Sequence, residues 1–521
     1  MIHFLLLALF FLPPVWALAP AEIHAFKFFD SETQRELVLR GIDYYPRPNK
    51  GDLNHNSLDL YTVEHRHVWE RDIPYLQELG VNAIRLYAVD PKENHDAFMC
   101  ALDAAGIYVI VALARDCEGC AITMDQAPNC YPPELKERGQ AVVQQFAMYP
   151  NTLAFSAGNE VNHFAPPNQP EWNAPCQKKF LRDMREYMDS CPHMRKVPVG
   201  LVSADNERSE VARYYNCQGD PNDPFENAEW YGLNSYVSCD GTAKNYSQAP
   251  GFKILEQSFK KDNYSIPVLL TEFGCLSDTF PSLRGYEAQR TFLQAKWLLT
   301  EPTLREQFSG GFAFEYSIEM ENAKSESPFP FTKFGHQSYG IGYFGPEDCD
   351  DIDIPCAYHP LPSFDKLQQA FHVETESLAL ENFVVPSERV GRSQCPERFQ
   401  SLGEFTWIAD SHASLHCPRQ QTFTCPATFP GIGVPVRPRS SMTIVAMVVI
   451  LLVGVLAVSI LVHWKSRENP EPTWMTVSVP NYGKLVEVAS TDSSESAGLL
   501  SMKSYQRGDA AEYEAVDAGS S

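Results

Sequence analysis

Residues 69–113 read WERDIPYLQELGVNAIRLYAVDPKENHDAFMCALDAAGIYVIVAL and contain a pattern that is repeated along the chain. Two segments with helical periodicity, 69–79 and 95–105, each end at a glycine, the residue that commonly follows the last turn of a helix. Each glycine is followed at once by a short apolar run, 81–87 and 107–113. Helices that alternate with such runs predict parallel βαβ units.

The same alternation continues from Leu37 to Phe371. Eight strands that alternate with helices over this length fit a closed barrel better than an open sheet. We therefore expect a (β/α)8 barrel of the TIM type in residues 20–374. The eight candidate strands are 38–44, 81–87, 107–113, 152–157, 197–202, 230–236, 267–273 and 311–316.

The two ends of the chain carry apolar segments of different kinds. Residues 4–12 are apolar and are followed by two prolines and small residues, which predicts a secretory signal over 1–19, cleaved after Ala17 or Ala19. Residues 442–462 carry no charge and are long enough to cross a bilayer. A long polar segment follows them, which favours a genuine transmembrane helix over a lipid-anchor signal.

These segments predict five regions. They are a signal (1–19), a catalytic domain (20–374), a stalk or small disulfide-stapled segment that contains Cys and Pro (375–441), a transmembrane helix (442–462) and a disordered cytoplasmic tail (463–521). Basic residues flank the span on both sides, so the signal decides a single-pass type I orientation in the plasma membrane. Tail motifs such as YGKL at 482–485 resemble endocytic sorting signals and suggest endosomal cycling, although the Ser, Glu and Gly content of the tail favours a solvated segment with chance matches.

The net charge and the positions of the cysteines indicate the kind of partner and the compartment. A net charge of −24 argues against nucleic acid as a binding partner, because nucleic acid is bound by basic residues. All 14 cysteines precede the predicted span, as expected of an oxidising compartment. Asn245 and Asn263 begin glycosylation sequons on the same side.

Neither a metal site nor a cofactor is predicted. The histidines are scattered, and the CEGC motif at 117–120 has no second pair of cysteines or histidines to complete a zinc site. We expect Cys117 and Cys120 to form disulfides with partners drawn from four other cysteines, which are Cys100, Cys130, Cys176 and Cys191.

Two glutamates stand where a barrel places its catalytic groups. Glu160 follows the fourth candidate strand and Glu272 lies in the seventh, near the strand ends from which active sites are built. A retaining glycosidase needs one protonated and one ionised carboxyl about 5–5.5 Å apart. Most glutamates are simply solvated. An acidic residue that closes an apolar strand is poorly solvated, which favours a functional role.

Several stretches resemble the β-1,3-glucanosyltransferases of fungal cell walls, in order and spacing, from about Glu22 to Tyr343. They are RDIPYL (71–76), LGVNAIRLY (79–87), NHD (94–96), AGIYV (105–109), AGNEV (157–161), VPVG (197–200), YGLNSY (231–236), IPV (266–268), TEFGC (271–275), GGF (310–312) and EY (315–316).

The resemblance implies an enzyme that cleaves β-1,3-glucan and passes the fragment to another glucan. Glu272 would be the nucleophile that carries the glycosyl ester, and Glu160 would act as acid and then as base. The resemblance also implies substrate-binding roles. Asn159 would contact the sugar 2-hydroxyl, and Arg85 would belong to the same site. Tyr87, Tyr236 and Tyr316 would line the cleft, with Tyr236 or Tyr316 donating to the nucleophile. The alternative for these tyrosines is a structural role in the core or rim of the barrel.

The chain departs from the family pattern around the sugar subsites. Ala112 stands where the family usually has Asp, Tyr45 where it usually has Gln, and Ser238 where it usually has Trp. Donor and acceptor preference therefore stay open. The alternatives are a β-glucan endo-hydrolase and a catalytically inactive glucan receptor.

The resemblance also bears on the disulfides. A family bridge between the first two helices is replaced by Trp69 and Phe98, which we expect to pack together. The family's two other bridges correspond to Cys217 with Cys349 and Cys239 with Cys275. The cysteine-rich carbohydrate-binding module of some members is not recognisable here.

Overall fold

A computed structural model describes residues 18–50, 58–236, 243–274, 291–324, 328–331, 338–419 and 423–426. Within these residues the predicted barrel is confirmed. Its strands close in the order β10-β3-β4-β5-β6-β7-β8-β9, and every neighbouring pair is parallel. The barrel strands are β3 (Leu39–Asp43), β4 (Ala83–Leu86), β5 (Tyr108–Ala112), β6 (Thr152–Asn159), β7 (Val199–Ala204), β8 (Tyr231–Asn234), β9 (Val268–Phe273) and β10 (Gly310–Ala313).

Helices follow most of these strands, and two hairpins lie outside the barrel. The hairpins pair β1 (Ala21–His24) with β2 (Lys27–Asp30) and β11 (Gly342–Gly345) with β12 (Ala357–Pro360). The described α-helices are α1 (Arg66–Leu79), α2 (Asp96–Ala105), α3 (Pro133–Phe146), α4 (Ala174–Ser190), α5 (Arg208–Asn216), α6 (Pro250–Lys261), α7 (Leu293–Thr300), α8 (Pro302–Gln307), α9 (Met320–Ala323) and α10 (Pro362–Phe371).

The predicted ends of the first two helices are confirmed. Gly80 follows α1 with φ 83° and Gly106 follows α2 with φ 76°, a left-handed conformation that glycine adopts without a steric penalty. The backbone N–H of each glycine donates to a carbonyl of the helix's last turn. Each chain then enters its strand directly, so these caps set the start of β4 and β5.

The predicted aromatic pair between α1 and α2 is also confirmed. The rings of Trp69 and Phe98 meet edge to face with their centroids 5.7 Å apart, and both side chains are buried. This geometry is favoured by the ring quadrupoles. Packing therefore joins these two helices at the place where the resemblance implies a disulfide.

The N-terminal hairpin packs against apolar residues of the barrel strands. A buried cluster joins Leu18, Ala21 and Phe28 to side chains of seven barrel strands, among them Phe312, and to Trp230 directly before β8. The backbone N–H of Leu18 donates to Asp103 Oδ1 at 2.7 Å, and Tyr108 Oη donates to the carbonyl of Ala19 at 2.7 Å. The chain is thus fixed from Leu18 onward.

The part of 375–441 that the structure describes is a stapled segment rather than a stalk. Several of its apolar side chains are buried, among them Phe399 and Trp407, and Phe399 stacks on Tyr214 of α5 at 4.1 Å. Lys136 of α3 donates to the carbonyl of Ala409 at 3.1 Å. A few apolar residues without periodicity do not predict packing, yet here they cover the helices of the barrel.

Three disulfides attach this segment to the barrel. They join Cys217 to Cys395, Cys191 to Cys417 and Cys100 to Cys425. Because each bridge closes a long loop, it removes many conformations from the unfolded chain. The described part of the segment is therefore integral to the barrel domain.

The predicted disulfide pairings need correction. Cys217 bonds to Cys395 rather than to Cys349, which bonds to Cys356 seven residues later. Cys117 and Cys120 bond to each other, and Cys130 bonds to Cys176. The partner of Cys217 comes from a segment that sequence reasoning had assigned to a stalk or small stapled segment. The predicted pair Cys239 with Cys275 lies outside the described residues.

The predicted membrane segment is not among the described residues. In the parts of the chain that the structure does describe, no helix combines the length and the apolar character that a bilayer span requires. The predicted span at 442–462, the tail at 463–521 and residues 1–17 of the predicted signal lie outside these parts.

Candidate active site

Glu272 lies in β9 with donors on both carboxylate oxygens. Arg85 Nη1 at 2.9 Å and Tyr87 Oη at 2.8 Å donate to Oε1, and Tyr236 Oη donates to Oε2 at 2.7 Å. The residue is only 6% exposed. Three hydrogen bonds, one of them from a guanidinium, hold the carboxylate in a single orientation.

Glu160 follows β6 directly and has a different environment. Its backbone adopts φ 51°, its N–H donates to the carbonyl of Val202 at 2.9 Å, and Asn234 Nδ2 donates to its Oε1 at 2.8 Å. Burial, followed by the negative charge of Glu272, raises the pKa of Glu160, which Asn234 partly offsets. A raised pKa keeps a carboxyl protonated, the state that a general acid needs.

Arg85 connects the strands that carry these two glutamates. It lies in β4, is 3% exposed, and besides Glu272 its Nη1 donates to Asp43 Oδ1 at 3.1 Å. Its Nη2 donates to Asn159 Oδ1 at 2.7 Å. The Arg85 guanidinium therefore holds Glu272 and Asn159 in position. These bonds indicate a positioning role for Arg85 rather than the predicted contact with substrate.

Asn234 and Asp43 belong to the site, although sequence reasoning did not assign them a role. Asn234 ends β8, and its amide reaches both Asn159 and Glu160 while its Oδ1 accepts from Thr271 Oγ1 at 2.8 Å. Asp43 ends β3 and contacts Arg85. Both are polar residues that end apolar strands, the same signal that identified Glu160 and Glu272.

The predicted tyrosines divide into two groups. Tyr87 and Tyr236 both contact Glu272, whereas Tyr316 is fully buried and does not line the cleft. Its ring stacks on Tyr358 with centroids 4.4 Å apart, and its backbone N–H donates to the carbonyl of Asp43. The prediction of a cleft role for Tyr316 is wrong because the chain after β10 directs the ring into the core.

Two departures from the family pattern lie at the ends of barrel strands. Ala112 ends β5 and is half-buried, and Tyr45 follows β3 by two residues. The Tyr45 hydroxyl accepts from the N–H of Leu58 at 3.1 Å, and the Arg47 guanidinium lies 4.8 Å from its ring centre. Tyr45 is therefore held by the loops that follow the first strand of the barrel.

The two sequon asparagines lie on the surface. Asn245 and Asn263 are both exposed, and Asn263 adopts φ 47° just after α6.

Among the residues that the structure describes, no three His, Cys, Asp or Glu side chains are grouped as metal ligands would be.

Comparison with known proteins identifies relatives of this chain. A family model described as glucanosyltransferase matches residues 15–324. The chain is 32% identical over 310 residues to 1,3-beta-glucanosyltransferase PGA4 of Candida albicans, a match that covers 59% of this chain and 62% of that protein. It is 33% identical over 297 residues to 1,3-beta-glucanosyltransferase gas5 of Schizosaccharomyces pombe, covering 57% and 54%.

Solved structures of the yeast protein Gas2p also superpose on this chain. The Gas2p apostructure from Saccharomyces cerevisiae superposes with a TM-score of 0.57 at 27% identity, covering 73% of this chain and 69% of that one. Gas2p from the same yeast in complex with laminaritetraose and laminaripentaose gives 0.54 at 26% identity, covering 74% and 75%. The chain spans about three fifths of the length of the first curated relatives that it matches.

Proposed function

The chain belongs to the glucanosyltransferase family, and on that premise we propose that it is a retaining β-1,3-glucanosyltransferase. In this proposal it cleaves a β-1,3-glucan and transfers the fragment to a second glucan through a covalent glycosyl-enzyme. Relatives named 1,3-beta-glucanosyltransferase and solved complexes with laminari-oligosaccharides support the substrate class.

One observation carries the proposal, namely that the two carboxyls have complementary environments. Glu272 has three hydrogen-bond donors around a fixed carboxylate, whereas Glu160 has one side-chain donor and a raised pKa. A retaining mechanism needs one ionised and one protonated carboxyl at the same time. A barrel that only binds glucan has no need of such a pair.

In the first step Glu272 attacks the anomeric carbon. A carbon–oxygen bond forms to the Glu272 carboxylate while the glycosidic carbon–oxygen bond breaks, and the proton of Glu160 passes to the leaving oxygen. Asn159 lies next to Glu160 in sequence, and its Oδ1 accepts from Arg85 and Asn234, which supports a role for its amide N–H in bonding the sugar 2-hydroxyl.

In the second step Glu160, now ionised, accepts the proton of an incoming hydroxyl. That oxygen bonds to the anomeric carbon, and Glu272 leaves as a free carboxylate. A sugar hydroxyl gives transfer and water gives hydrolysis. The outcome depends on how well the acceptor glucan occupies its subsites.

A β-glucan endo-hydrolase is the second candidate. Ala112 and Tyr45 replace polar residues that the family pattern places around the subsites, and such changes favour water if they weaken acceptor binding. The catalytic pair would act in the same way in both cases.

The test uses a reduced laminari-oligosaccharide whose products are separated by chromatography. Products longer than the substrate support transfer, whereas shorter products alone support hydrolysis. Glu272→Gln should abolish both, and Glu78→Gln on the exposed face of α1 should retain wild-type activity. Equal turnover by the Glu272→Gln variant would contradict the mechanism, whereas a wild-type protein that binds glucan without converting it would leave the receptor alternative.

The placement of the protein is also a proposal. A cleaved signal, a type I transmembrane helix at 442–462 and glycans on Asn245 and Asn263 would put the catalytic domain outside the cell, and the tail motifs would support endosomal cycling. Burial of Leu18 and its bond to Asp103 favour cleavage after Ala17, because cleavage after Ala19 would remove these contacts. N-terminal sequencing of the secreted form distinguishes the two sites.

A further inference from the structure

Asp43 is a buried carboxyl beside the nucleophile. It ends β3, is 1% exposed, and lies next to Arg85 in the register of β3 with β4. Its Oδ1 accepts from Arg85 Nη1 at 3.1 Å, while its Oδ2 has no hydrogen-bond partner among the described residues. The mechanism above does not use this group.

Asp43 and Glu272 share the same donors. Arg85 Nη1 lies 3.1 Å from Asp43 Oδ1 and 2.9 Å from Glu272 Oε1, so one N–H group serves two carboxyls. The Tyr87 hydroxyl, which donates to Glu272, also interacts with the Asp43 carboxyl. Two carboxyls that share one cation compete for it.

The electrostatics couple the Asp43 carboxyl to both Arg85 and Glu272. Burial holds the pKa of Asp43 well above its usual range, Arg85 opposes that shift, and the charge of Glu272 adds to it. The other titratable groups facing Glu272 are Tyr236 and, through its charge, Glu160. Within this network Asp43 is the carboxyl that shares Arg85 with the nucleophile.

We propose that Asp43 is a positioning residue that competes with Glu272 for Arg85 and Tyr87 and thereby keeps the nucleophile reactive. The inference rests on the proposed function. Before attack, Asp43 accepts part of the hydrogen bonding of Arg85 and Tyr87, so these two donors stabilise the Glu272 carboxylate less. Once Glu272 is an ester it no longer carries charge, and Arg85 and Tyr87 bond to Asp43 instead.

The test measures the two steps separately in the full chain, with β-laminaribiosyl fluoride as donor. Fluoride release in a single turnover reports the first step, since fluoride leaves without a proton from Glu160. Decay of the glycosyl-enzyme, followed by mass spectrometry, reports the second. Asp43→Asn should slow the first step by about tenfold, the effect of one charge-assisted hydrogen bond on Glu272, and should not slow the second.

Asp72→Asn is the matched control, because Asp72 is also a buried carboxyl held by an arginine and a tyrosine. It accepts from Arg71 Nε at 2.8 Å and from Tyr44 Oη at 3.0 Å, away from Glu272. This variant should lower the melting temperature and leave both rates unchanged. Asp43→Ala, with folding checked by circular dichroism, is a second variant with the same expected slowing.

The outcomes separate this inference from the function on which it rests. A wild-type protein that forms no glycosyl-enzyme overturns both. A wild-type protein that forms it, together with Asp43 variants whose two rates are unchanged or fall equally, overturns the role of Asp43 alone.

Discussion

At the scale of the residue, the site is organised around the two oxygens of Glu272. Oε1 is held by Arg85 and Tyr87, which lie in and just after β4, and Oε2 is held by Tyr236, which follows β8. The nucleophile is therefore oriented by strands on different sides of the barrel. Its position depends on closure of the barrel rather than on local sequence.

Tyr236→Phe tests this orientation. A hydrogen bond to a charged group contributes about 1.5–3 kcal/mol of stabilisation. If its loss raises the activation free energy by that amount, kcat should fall about 10- to 100-fold. Tyr316→Phe removes a hydroxyl from the core and should leave kcat unchanged, as steady-state kinetics on laminari-oligosaccharides would show. Equal losses in the two variants would return Tyr316 to the cleft.

Asn234→Ala tests the acid. Asn234 donates to Glu160 and lowers the pKa of that carboxyl, because the bond stabilises the ionised form. Loss of the Asn234 amide should raise the pKa of Glu160 further. Glu160 then keeps its proton to higher pH, and the alkaline limb of the kcat/KM profile moves to higher pH. An alkaline limb that stays in place or moves to lower pH would contradict the assignment of Glu160 as acid.

Inspection of the polar residues at strand ends selected Glu160 and Glu272, which the structure brings into one network. Applied to every strand, the same rule would also have selected Asp43 and Asn234. It could not place Tyr316, because the direction of a side chain after β10 depends on the packing of Tyr44 and Tyr358 around it.

At the scale of the element, regular alternation made the barrel predictable. All eight strand candidates are strands of the closed sheet, and Gly80 and Gly106 end their helices as expected. Disulfide partners were not predictable in this way, because the bridge from Cys217 spans 178 residues and depends on where a distant segment lies.

The Trp69 and Phe98 pair gives a prediction about α1 and α2. Trp69→Ala removes a fully buried side chain, so the free energy of unfolding should fall by about 3–5 kcal/mol. Denaturant unfolding measures the loss, and kcat of the folded variant should be unchanged. A loss below about 1 kcal/mol, typical of a surface substitution, would show that the pair does not stabilise the helices.

At the scale of the whole molecule, the segment after the barrel determines the boundary of the catalytic domain. Residues 395, 417 and 425 are each bonded to a cysteine of the barrel region, and the Arg389 guanidinium lies 3.4 Å from the ring centre of Phe26. A protein that ends at residue 374 would expose buried surface on α3, α4 and α5 and leave three cysteines unpaired.

Truncation tests this boundary. A secreted protein ending at Pro426 should accumulate in soluble, active form, whereas one ending at residue 374 should be retained or aggregate. Secreted yield and activity on laminari-oligosaccharides measure the difference. A soluble and fully active protein ending at residue 374 would restore the interpretation of the segment as a stalk.

The central claim is that Glu272 carries the glycosyl group and Glu160 assists its departure and arrival. Glu160→Gln protein is incubated with β-laminaribiosyl fluoride, whose leaving group needs no acid, and its peptides are examined by mass spectrometry. The account predicts that a laminaribiosyl ester accumulates on Glu272, since the base of the second step is missing. An ester on another residue, or none while the wild-type protein turns over the same donor, would contradict it.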